Sequence, residues 1–128
     1  MKHLSAANIA DLRTRNIDIY ATVVIAVLIG LATLTPVEEL PAVSGSDKLY
    51  HFISFAILTL PIAVIRPKVV WVIFILSVVY GGAIEVLQPL VDRNCELADF
   101  LADACGSMLG IFTGRWLLRS TPASTGRH

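Results

Sequence analysis

Asp47, His51, Glu85, Gln88, Asp99 and Asp103 are polar residues in or beside apolar stretches of a 128-residue chain, with Lys48 and Arg93 close to them in sequence. Side chains of these types support two kinds of chemistry. In one, Glu85 is a general base, His51 a proton shuttle or metal ligand, and Asp99 and Asp103 metal ligands or a paired acid and base. In the other no bond is broken. Lys48 and Arg93 engage the anionic head of an envelope lipid or lipopeptide, and the apolar segments accept its acyl chain. One histidine with four carboxylates could also hold a divalent cation such as Zn²⁺ or Mg²⁺, although the residues specify neither a metal nor any other cofactor. The chain has no His-Glu-x-x-His, no Gly-x-Ser-x-Gly and no phosphate-cradling glycine loop, so whether a reaction is catalysed stays open.

Each of these residues has a structural reading as well. Asp47 and Asp99 suit the first turn of a helix, where a carboxylate meets the positive end of the dipole. His51 could simply hydrogen-bond a carboxylate, and Lys48 and Arg93 could snorkel or neutralise nearby acids. Glu85 is hardest to explain this way, because it lies in an apolar helix well past any cap.

The elements that position these groups follow from composition. With 55% hydrophobic and 16% charged residues and a mean hydropathy of +0.73, the chain is too apolar for a soluble domain of this size. Four apolar stretches approach the roughly 20 residues needed to cross a bilayer core of about 30 Å. They are residues 17–34, 48–65, 69–90 and 98–118, flanked by an N-terminal tail, 1–16, and a C-terminal tail, 119–128. The expected fold is therefore all-α, an integral membrane four-helix bundle whose partner is the lipid bilayer. The first stretch is expected to be a span and not a cleaved signal, since its apolar run is long and no clean small-x-small site precedes Pro36. The first fifteen residues are expected to form a short interfacial helix, and residues 121–128 to be unstructured. Without a basic patch, binding to nucleic acid is excluded. Cys95 and Cys105 fit neither a zinc ribbon nor a disulfide framework and read as packing residues.

Eight of the ten basic residues lie in the N-terminal tail, the Arg66–Lys68 connection and the C-terminal end, whereas Lys48 and Arg93 share the other two connections with acids. The positive-inside rule then places both termini in the cytoplasm. In this topology Asp47 and His51, Glu85 and Gln88, and Asp99 and Asp103 fall at one height near the outer surface, forming an outward-facing polar pocket with Lys48 and Arg93 at its rim. Ser77 and Gly81 extend the Glu85 stripe inward. Ala102, Gly106, Gly110 and Gly114 recur every fourth residue, a pattern that lets helices approach closely in lipid. It serves packing within the bundle or a homo-oligomer through the Gly106/Gly110/Gly114 face. Pro61 predicts a kink in the second span, and Pro89 the outer end of the third.

Three strings together carry a family resemblance: DKLYHF from Asp47, GGAIEVLQ from Gly81 and RNCELADFLADACGSMLG from Arg93. In order and with compatible topology, they resemble the signature pieces of the VanZ-like membrane proteins. These have Asp-Lys-x-x-His-Phe opening a span, Glu-x-x-Gln ending the next, and an arginine before Asp-x-x-x-Asn/Asp-x-x-Gly-x-x-x-Gly in the last. Asp103 stands where many relatives carry Asn, which makes the site more acidic. The resemblance implies a multi-pass protein of the bacterial inner membrane; the family's namesake is associated with tolerance to the glycopeptide teicoplanin. From the residues and the resemblance, the expected function is binding of an envelope lipid or a lipopeptide of teicoplanin type, with an effect on envelope physiology or antibiotic tolerance. The alternatives are a membrane-embedded hydrolase or transferase acting on a lipid-linked substrate, and a packing scaffold for other membrane proteins.

Overall fold

The computed structural model describes residues 5–36 and 47–120, and these are helical or form short connections, with no strand among them. Helix α1 (Ala6–Thr14) starts at Ser5, whose Oγ accepts the Asn8 N–H at 3.2 Å. Only Ile9 and Leu12 are even half-buried, so this helix has a narrow apolar side. The chain bends by 65° through Asn16, which adopts a left-handed conformation (φ 53°), and continues as α2 (Ile17–Thr33). Next come α3 (Asp47–Ile65), a single 3₁₀ turn at Pro67–Val69, α4 (Val70–Leu87) with its 3₁₀ extension Gln88–Val91, and α5 (Leu97–Arg119). The expected unstructured tail at 121–128 lies outside the described residues.

Three helices, α3, α4 with its flanking turns and α5, are long and apolar enough to cross a membrane. The 17 residues of α2 span roughly 25 Å at 1.5 Å per residue, and it makes a fourth candidate when taken with α1 across the bend. Large apolar side chains such as Val23, Leu31, Trp71, Val79 and Phe112 point outward, as a lipid solvent allows. α3 continues through Pro61 as one helix, whereas α4 gives way to 3₁₀ geometry at Pro89.

The tightest pair is α3 with α5. Gly106 lies against the Phe52 carbonyl, Gly110 against the Ala56 carbonyl and Thr59 Oγ1, and Gly114 against Ala63, so closely that a Cβ at any of them would collide. Position advances in the same direction along both helices, so the two run parallel and begin at the same end of the bundle. Thr59 Oγ1 also donates to the Ser107 carbonyl at 3.0 Å, a bond that such proximity permits. The Gly106/Gly110/Gly114 face is therefore packed against α3 of the same chain. Cys95 and Cys105 are both free and exposed.

Candidate functional site

The end of the bundle where α3 and α5 begin, here called the mouth, gathers residues from three helices. The first turns of α3 bring Asp47, Lys48 and His51, the end of α4 brings Glu85 and Gln88, and the first two turns of α5 bring Asp99 and Asp103. Helical spacing explains the convergence. His51 lies one turn below Asp47, Asp103 one turn below Asp99, and Glu85 one turn above Gly81 on a buried stripe that includes Ser77.

His51 and Asp103 form the centre. His51 Nδ1 lies 2.8 Å from Asp103 Oδ1, and the two residues are 2% and 0% exposed. Gly81 makes this possible, because a Cβ there would stand 2.7 Å from Asp103 Oδ2. Glu85 approaches from α4, and Glu85 Oε2 accepts the Glu96 N–H at 2.9 Å, which ties this carboxylate to the start of α5. Gln88 is fully buried, and its NH₂ group faces Glu85 Oε2 at 3.2 Å and the Asn94 carbonyl at 3.2 Å in the amide orientation that satisfies its neighbours.

The cations occupy the rim and are already engaged. Lys48 Nζ lies 2.7 Å from Glu96 Oε2 and 3.4 Å from Asp99 Oδ1, and Arg93 pairs with Asp47 Oδ1 at 3.1 Å. Neither Glu85 nor Asp103 pairs with a lysine or arginine among the described residues. The eight residues singled out in the sequence thus lie in one connected region. They form two layers: a rim of Asp47, Lys48, Arg93 and Asp99 in which the acids have cations beside them, and a deeper layer of His51, Glu85, Gln88 and Asp103.

The deeper layer is incompletely bonded. Among the described residues, His51 Nε2 and Asp103 Oδ2, with Ser107 Oγ below them, are buried atoms without a hydrogen-bond partner, while Asp99 Oδ1 above them has only Lys48 Nζ at 3.4 Å. Each such group costs about 1–3 kcal/mol when it is buried without a partner. Two overlapping triads sharing His51 have ligand atoms within 4.8 Å of one another: Asp47–His51–Asp99 at the rim, and the fully buried His51–Glu85–Asp103.

Sequence reasoning missed Glu96, which holds Lys48 and, through its backbone, Glu85. Its signal was present, since an acid just before a helix that begins with functional carboxylates can reach a lysine across the mouth. It also missed Ser107, one turn below Asp103, which reads from sequence as one more small residue.

A family model described as VanZ/LLP1 matches residues 6–118, extending the likeness beyond the three motifs through α1 and α2. No curated protein and no solved structure is significantly similar.

Proposed function

Because this chain belongs to the VanZ-like family, a group of membrane proteins, we propose that it binds the polar head of an envelope lipid or lipopeptide at the mouth of its bundle. The observation that carries this reading is the set of buried atoms on His51, Asp103 and Ser107 that have no partner among the described residues. All but the Ser107 hydroxyl belong to acceptor-type groups, so a headgroup bearing hydroxyl, amine or amide donors would complete them. Glu85 and Gln88 lie beside these groups. Apolar side chains on the outer faces of α3 and α5, such as Ile53, Ile57 and Leu101, offer the surface along which an acyl chain would lie. Lys48 and Arg93 fix the rim through their ion pairs, a different role from direct capture of an anionic head. In this reading the mouth faces away from the cytoplasm in the bacterial inner membrane, both termini are cytoplasmic, and occupancy alters envelope physiology or tolerance to glycopeptide-type antibiotics.

Complementation tests it. In a strain lacking the protein, Glu85→Gln present at normal level is expected to lose envelope-antibiotic tolerance; full activity of that variant would remove the site from the function. One observation favours a second reading. The Asp103 carboxylate holds His51 Nδ1 and leaves Nε2 free, which is how a general base is prepared. A purified protein that turns over a lipid-linked substrate, and stops doing so as His51→Gln, would move the conclusion to catalysis.

A further inference from the structure

Resting on the headgroup-binding reading, we infer that the buried triad of His51, Glu85 and Asp103 is a divalent transition-metal site whose open coordination position receives the headgroup.

Charge is the first reason. Two carboxylates and an imidazole meet in the apolar interior with their ligand atoms within 4.8 Å, and no lysine or arginine pairs with either acid among the described residues. Two buried carboxylates without a cation are costly in a bilayer, and one divalent ion balances them. The rim triad of Asp47, His51 and Asp99 differs in having cations beside its acids, Arg93 at Asp47 and Lys48 at Asp99.

Donor geometry is the second. His51 Nδ1 and Asp103 Oδ1 lie 2.8 Å apart, close enough for one ion to take both as neighbouring ligands in place of the hydrogen bond, and Asp103 Oδ2 beside them is buried and without a partner among the described residues. Glu85 is steadied by the Glu96 N–H. Mixed imidazole and carboxylate donors suit Zn²⁺ or Mn²⁺, and three protein ligands leave room for a phosphate or hydroxyl oxygen from outside. The three ligands come from α3, α4 and α5, so the ion would also staple the three helices together.

The test uses the full chain in detergent, stripped with chelator, re-loaded with Zn²⁺ or Mn²⁺ and freed of excess metal by gel filtration. Elemental analysis is expected to find one metal per chain, and loading to raise the unfolding temperature. His51→Gln and Glu85→Gln should each weaken binding at least about tenfold, while Asp47→Asn leaves it unchanged. If a variant misfolds, the metal count of the native chain and the visible spectrum of its Co²⁺-loaded form decide alone. Substoichiometric metal in the native chain, or an affinity that follows Asp47 and not Glu85, overturns the assignment. Stabilisation by phosphatidylglycerol nanodiscs, compared with phosphatidylcholine nanodiscs, is then measured on stripped and loaded protein. A headgroup effect equal in both forms rejects the metal and keeps the binding reading; bound metal without a headgroup effect keeps the metal and rejects the binding reading.

Discussion

The two ends of the bundle each bury a carboxylate, and they treat it differently. At the end opposite the mouth, Asp18 is fully buried and Arg66 meets it with Nε at 2.5 Å from Oδ2 and an NH₂ group 3.4 Å from Oδ1. The same guanidinium donates to Asn16 Oδ1 at 2.6 Å and the Arg13 carbonyl at 3.1 Å, so both the charge and the donors are satisfied. At the mouth, Asp103 has only the imidazole of His51, and atoms on both residues are left over. Asp18 and Arg66 form a clasp that holds α1, α2 and α3 together. The clasp thus pairs its buried acid with a cation, whereas the mouth pairs Asp103 with an imidazole among the described residues.

The comparison predicts effects of very different size. Arg66→Met leaves Asp18 buried without its cation and should destabilise the protein most, by about 3–5 kcal/mol in thermal or denaturant unfolding in detergent. A loss below about 1 kcal/mol would show that the clasp is wet and unimportant. Gly110→Leu drives a side chain into the Ala56 carbonyl and Thr59, and should cost about 1–3 kcal/mol or more, whereas Gly82→Ala meets only Phe100 at 3.5 Å and should be tolerated. Equal costs for these two would remove the argument for close α3–α5 packing. Glu85→Gln removes charge from the uncompensated mouth, so unfolding should shift by less than about 1 kcal/mol while complementation is lost. That separation of stability from function is the sharpest contrast with Arg66. Lys48→Met breaks an ion pair with half-exposed Glu96 and should change stability least in the same unfolding assay, with the difference shrinking further at high salt.

The mouth was legible in the sequence because its residues interrupt apolar helices at helical spacing, and i, i+3 and i, i+4 offsets fix a face without any tertiary information. Glu85 and Gln88, Asp99 and Asp103, and Asp47 and His51 each reveal themselves in this way. The clasp was not legible. Asp18 lies at the start of an apolar run where an acid looks like an ordinary first-turn residue, and Arg66 looks like one more positive charge beside Lys68. Their meeting depends on how α2 packs on α3, which no local period encodes. The glycine stripe showed that α5 is closely approached, but identifying α3 as its neighbour required the partner surface of Phe52, Ala56 and Ala63. The two layers at the mouth were hidden for the same reason, since only tertiary contacts show that Lys48 and Arg93 are already engaged.

The parallel pairing of α3 with α5 bears on how the protein is made. These helices are separated in sequence by α4, so as the chain emerges from the ribosome and enters the bilayer, α3 arrives before the helix that will cover it. Until α5 is in place His51 lacks Asp103, and Glu85 lacks the Glu96 N–H. The last helix to be synthesised therefore both shields the polar groups and completes the site, and a chain truncated before Leu97 would offer quality-control proteases an unshielded histidine and glutamate.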